Sequence, residues 1–195
     1  TIQTKRSMGE YTPKQPPFGY VKSETVHNHL EVGFCYYGEG TVTFKEEDLP
    51  FDGNMFTVVP KNFPHTTTST GDSISYWEWL FIDADKFLRE VYKDNPRMAQ
   101  KVIDRVNKRA HFVRVQDKPQ IGALVQQIIV CMREKKEFYL EEVKGLTLAF
   151  LLQVARWNRE EAEKAEFETG NTSLITPAID YISECCDRPI KVEEL

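Results

Sequence analysis

The sequence predicts an α+β chain in which a barrel or sandwich of short strands precedes a helical region. Three observations predict it. Short runs rich in Val, Phe, Tyr, Trp and Thr, separated by Gly, Pro, Asn or Asp, recur as far as Ile82. From Asp83 the apolar spacing turns helical. Two long helical patterns with apolar stripes then fill most of the remainder. At 195 residues, 41% hydrophobic and 28% charged, the chain can bury a core and does not read as disordered.

Residues 1–20 hold Pro13, Pro16 and Pro17 with little periodicity, which predicts an extended N-terminal arm rather than a regular element. Strands are predicted over 20–26, 31–37, 41–45, 55–60 and 74–82. Gly38-Glu39-Gly40 joins two of them as a hairpin would, and Asp52-Gly53-Asn54 marks another turn. Helices are predicted over 83–93 and 96–108, with Pro96 suited to a first turn. The short β-rich run 111–115 can return to the sheet. Residues 21–115 thus read as a barrel with a helical insertion at 83–108.

Residues 116–168 read as helical. In the helix predicted over 118–138, Ile121, Leu124, Val125, Ile128 and Met132 make one stripe. In the next, over 140–167, Val143, Thr147, Phe150, Val154 and Trp157 alternate by four and three, the spacing of a packing seam. Leu148, Leu151, Leu152 and Ala155 lie outside that seam, so the helix is apolar on two sides. The barrel can cover one side. A second copy of the chain is the simplest cover for the other, and the preceding helix is the alternative. This pattern, together with the resemblance described below, leads to the expectation of a homodimer through residues 118–167. Residues 160–168 are an acidic run that reads as a solvated helix end, and 169–173 are a polar linker. Ile175, Ala178, Ile179 and Ile182 then start an amphipathic helix that ends at Asp187-Arg188-Pro189. Two or three such turns cannot form a domain, so the chain is expected to stop just inside a second one over 174–195.

A formal net charge of −5 argues against a chain that, as given, grips phosphate backbones. The longest uncharged helical stretch, 145–155, is too short for a bilayer, so no membrane partner is expected. Cys35, Cys131, Cys185 and Cys186 show no Cys-x-x-Cys spacing. They read as reduced thiols of a cytoplasmic protein, with Cys35 and Cys131 as small core hydrophobes. No nucleophile elbow, phosphate loop or dinucleotide fingerprint is present, so no enzyme chemistry is expected without a metal.

His27 and His29 are two apart, so on a strand their imidazoles would share a face, and Glu31 and Cys35 share that parity. His65 arrives on another strand. His27, His29 and His65 with a carboxylate form a possible set for a divalent metal, against packing or hydrogen bonding as the simpler use of the same residues. Trp77, Trp79 and Phe81 alternate onto one face of their run, and Tyr76 and Glu78 onto the other. Tryptophan rings in a small barrel pack as core or form a flat wall for a sugar or aromatic ligand, with the indole N–H as polar handle. Phe34, Tyr36 and Tyr37 sit on an adjoining strand with either parity open.

The run from His27 to Gly40 resembles the first cupin strand pair of AraC-type transcription regulators. Pro60 to His65, and then Ser73 to Asp83, resemble later strands of the same sensor domain. Leu174 to Ile182, with Pro189 to Leu195, is similar to the opening of that family's helix-turn-helix module. The resemblance implies a cupin-like antiparallel β-barrel of jelly-roll type that senses a small molecule, often a sugar, followed by a helical dimerisation region. It implies that DNA is bound only through a C-terminal domain mostly absent here. It also implies that the arm 1–20 can fold over the pocket. Carried over by position, Trp77 and Trp79 are pocket-wall candidates, and His29 and His65 hydrogen-bonding groups at its mouth. Glu31 and Tyr36 are further candidate ligand contacts. No cofactor is implied. The alternative is a cupin metalloenzyme, an isomerase or dioxygenase, using His27, His29 and His65.

Overall fold

The computed structural model describes residues 2–9, 28–70 and 74–169. The chain forms two compact units, 1–155 and 156–195. Of the second unit, residues 156–169 are the end of the last helix. The linker 169–173 from Gly170 on, the helix expected from 174, the strand expected over 20–26, and His27 lie outside the described residues.

The first unit is built on two antiparallel sheets. Five strands, β1 (Ile2–Gly9), β7 (Ser75–Ile82), β2 (Leu30–Tyr37), β5 (Met55–Val59) and β8 (His111–Arg114), pair in that spatial order. Three more, β4 (Glu47–Phe51), β3 (Gly40–Phe44) and β6 (His65–Ser69), form the second sheet. This is the cupin-like α+β architecture, and β8 does return to the sheet, on the free edge of β5.

Two local expectations are corrected. Residues 2–9 form a strand, running from the Ile2↔Ile82 pair to Gly9↔Ser75 along β7. An edge strand needs only a backbone partner, and that partner lies far along the chain, so no local period announces it. Gly38-Glu39-Gly40 is not a hairpin, because β2 and β3 belong to different sheets. Gly38, at φ +104°, and Gly40, whose Cα lies against the Thr68 carbonyl and the Phe51 ring, turn the chain across the barrel instead. The second sheet's hairpin is β3–β4, closed at Lys45 with φ +56°. The expected turn at Asp52-Gly53-Asn54 is present, with Gly53 at φ +95° and Asn54 at +51°.

The first two helices begin within a residue of the predicted 83 and 96. Asp83 accepts a hydrogen bond from Lys86 N at 3.1 Å to start α1 (Ala84–Val91). Asn95 accepts from Met98 N at 3.1 Å to start α2 (Pro96–Val106), with Pro96 in its first turn. α3 (Pro119–Glu134) ends earlier than expected, at Lys135 in the left-handed region, and Phe138 repeats that conformation before α4 (Tyr139–Thr169). These two residues confine the helix expected over 118–138 to Pro119–Glu134.

Leu30, Val32, Phe34, Phe56, Val58, Leu80 and Ile82 point away from the second sheet and are almost fully buried. α3 covers part of that face: Gly122 lies beside the Phe56 ring and Ile121, Val125, Ile128 and Ile129 are buried. On α4 the seam residues Val143, Thr147, Phe150 and Val154 are buried within the single chain, and so are Leu151 and Ala155. Leu148 and Leu152 remain half-buried. The chain thus covers more of α4 by itself than its two apolar sides implied. No helix among the described residues is long and apolar enough to cross a membrane.

Candidate functional site

The inner face of the five-stranded sheet follows from strand parity. β2 sends Glu31, Gly33 and Cys35 inward, β5 sends Val59, Thr57 and Met55, and β7 sends Phe81, Trp79 and Trp77. The registers stack these in three layers. Glu31, Val59 and Phe81 lie at one end, where Glu31 reaches His65 of the second sheet. Cys35, Met55 and Trp77 lie at the other, where Trp77 meets the Phe51 ring edge-on at 5.1 Å. Between them Gly33 pairs with Thr57 and Trp79, and Phe112 follows on β8. Cys35, Val42, Phe44, Phe51, Met55, Val59 and Trp77 form the buried apolar cluster of this interior.

The two tryptophans are stacked, with ring centroids 4.9 Å apart and planes 9° from parallel. Trp79 can lie where it does because residue 33 has no side chain: a Cβ there would come within 2.3 Å of Trp79 Cζ3. The backbone N–H of Gly33 donates to Thr57 Oγ1 at 3.0 Å. Trp77 is 2% exposed, and its indole N–H meets no acceptor among the described residues. A buried donor without an acceptor costs about 1–3 kcal/mol, so its retention inside the barrel calls for a use.

His65 Nδ1 lies 2.9 Å from the Phe63 carbonyl and Nε2 lies 3.0 Å from Glu31 Oε1. Both neighbours accept, which favours a proton on each ring nitrogen. Burial pushes the His65 pKa down, but the Glu31 hydrogen bond and charge, with the Phe63 carbonyl, outweigh it and leave the pKa above 6.5. Cys35 is the opposite case: burial pushes its thiol up to about 12, so it is an inert core group as expected. Cys131 is only half-buried on α3 and does not belong to the core.

The predicted residues therefore divide. Trp77, Trp79, Glu31 and His65 share the interior. Tyr36 is on the other face of β2, where its hydroxyl donates to Glu78 Oε2 at 2.6 Å and its ring lies 5.1 Å from Tyr76. His29 is half-buried in the bend before β2, so it does not continue the strand parity of Glu31. Among the described residues no three His, Cys, Asp or Glu side chains are grouped to hold a metal ion, and both nitrogens of His65 are engaged. Gly33, Thr57 and Phe112 were not singled out from the sequence. A glycine inside an apolar strand is the one available signal, since it marks a close approach.

Residues 11–151 match the family model described as the AraC-like ligand binding domain. Among solved structures the chain is similar to ToxT from Vibrio cholerae, at 16% identity and a TM-score of 0.51, covering 81% of this chain and 57% of that one. It is similar too to ToxT from Vibrio cholerae O395 bound to (E)-4-(8-methylnaphthalen-1-yl)but-3-enoic acid, at 15% identity and a TM-score of 0.50, with 81% and 57% covered. At these identities the likeness is one of fold, and this chain spans 57% of the length of the ToxT chains. No curated protein matches the chain.

Proposed function

The chain belongs to the AraC-like ligand-binding domain family, and from that premise we propose that it is the effector-sensing and dimerisation portion of an AraC-type transcriptional regulator, taking a small neutral molecule such as a sugar between its two sheets. The observation that carries this reading is the stacked Trp77–Trp79 wall with a buried Trp77 indole N–H that meets no acceptor among the described residues. An aromatic face suits the C–H face of a sugar, and an N–H suits a hydroxyl or ring oxygen. Glu31 and His65 add an acceptor and a donor at the other end of the same interior. One ToxT structure carries a carboxylic acid. Here a carboxylate would meet His65 already neutralised by Glu31, which favours an uncharged ligand.

The reading assigns binding rather than catalysis to these residues. Val130 and Leu140 are exposed on α3 and α4, and Leu148 and Leu152 are half-exposed. They support a homodimer through the helices. DNA contact belongs to the helix-turn-helix domain expected from residue 174, and the cytoplasm is the compartment that fits such a regulator.

A Trp157→Phe protein, keeping only Trp77 and Trp79 of the three tryptophans, is titrated with pentoses, hexoses and decanoate while indole emission is followed. A saturable response to at least one sugar, abolished by Trp79→Leu, is expected. A response to decanoate alone, or to nothing, overturns the sugar assignment.

A further inference from the structure

The observation is a polar knot on the outer face of β7, between the two wall tryptophans in sequence. Glu78 is 4% exposed. Its Oε2 accepts from the Tyr36 hydroxyl of β2 at 2.6 Å and from Arg133 Nη2 of α3 at 2.5 Å. Arg133 Nη2 also donates to Tyr36 Oη at 3.3 Å. Burial, followed by the hydrogen bond and charge of Glu78, pushes the Tyr36 pKa up to about 12, so the phenol keeps the proton it donates. Arg133 lies in the last turn of α3, two residues before the left-handed Lys135 that ends the helix. Phe34 and Tyr76 flank the Tyr36 ring at 4.8 and 5.1 Å and hold the knot's position on the sheet.

We propose that Glu78 is a positioning residue that relays occupancy of the barrel interior to the end of α3; this rests on the interior being the effector site. The reason is the pleat. Trp77, Glu78 and Trp79 are consecutive, so their side chains leave the strand on alternate faces while sharing one backbone. An effector that displaces the tryptophan wall displaces the backbone that carries Glu78. The carboxylate is buried and its hydrogen bonds are charge-assisted, so it cannot follow the strand without carrying Arg133 or losing it. Either outcome changes the end of α3 and its connection to α4. By reciprocity, loosening Arg133 changes the wall.

The test uses the reciprocal direction, which needs no effector. The full chain is labelled with 5-fluorotryptophan, and the fluorine resonances are assigned by single Trp→Phe variants. Arg133→Met is expected to shift the Trp77 and Trp79 resonances, Arg133→Lys to restore them in part, and Tyr36→Phe to shift them less and in the same direction. Lys136→Met removes a charge from the neighbouring loop, where Lys136 pairs with Glu134 rather than with the sheet; it is expected to leave both unmoved. Tryptophan resonances unchanged in folded Arg133→Met and Tyr36→Phe, or shifted equally by Lys136→Met, overturn the relay. Sugar titration of the unmodified protein is scored separately. Absence of sugar binding with the shifts present refutes the sugar site alone, whereas binding without the shifts refutes the relay alone.

Discussion

Trp79 occupies the space above Gly33 that any other residue's side chain would need. A Cβ on Gly33 would lie 2.3 Å and 2.6 Å from two of its ring carbons and 2.8 Å from Thr57 Oγ1. The tryptophan wall is thus seated by an absent side chain on the neighbouring strand.

Gly33→Ala should push the Trp79 ring toward the second sheet and disturb its stacking on Trp77. Overpacking of this kind costs about 1–3 kcal/mol. Urea midpoints measure the loss, and the Trp79 emission should move with it. Unchanged stability and emission would show that the wall is not seated this way.

The Glu31–His65 pair predicts a pH dependence of stability. The folded pKa of His65 lies above the ordinary 6.5, so the folded state binds the proton more tightly than the unfolded chain. Its contribution is complete below 6.5 and is lost as pH rises through the folded value. In Glu31→Gln, burial is the largest remaining influence and depresses the pKa, so the sign reverses and the contribution is lost as pH falls. Imidazole resonances of His65 followed by NMR, beside denaturation at each pH, read both slopes.

Gly145 sits within α4 and, apart from its chain neighbours and the adjoining helix backbone, no atom of the described residues lies within 4 Å of where its Cβ would be. Gly145→Ala should therefore stabilise the dilute protein by about 0.4–1 kcal/mol, because alanine restricts the unfolded chain and clashes with nothing. Thermal unfolding should show Tm rising by a few degrees at most.

Leu148→Glu with Leu152→Glu should dissociate the proposed dimer without unfolding the chain, since both leucines are only half-buried. Sedimentation at several concentrations, with circular dichroism as the folding control, gives the answer. A mass of one chain for the unmodified protein would remove the helical interface.

Protein purified without chelator should hold no stoichiometric iron, zinc, manganese or nickel, because His65 already uses both ring nitrogens. Bound metal that is lost in His65→Ala would instead favour the metalloenzyme reading.

The sequence by itself determined the parts that depend on neighbours along the chain. Trp77, Trp79 and Phe81 against Tyr76 and Glu78 were legible because a strand's pleat has period two. Pro96 announced its helix because the preference for proline in a first turn is set within a few residues, whereas the capping roles of Asp83 and Asn95 emerged only from the structure. The family resemblance was legible through the order of such pieces. Only the tertiary structure decided that Glu31 meets His65, that Tyr36 turns outward to Glu78 and Arg133, that β1 lines the edge of β7, and that Gly33 makes room for Trp79. Parity says which residues share a face, but not which face meets the core. That choice is made by long-range strand pairing and by burial of the whole sheet, and no local window contains both partners of those contacts.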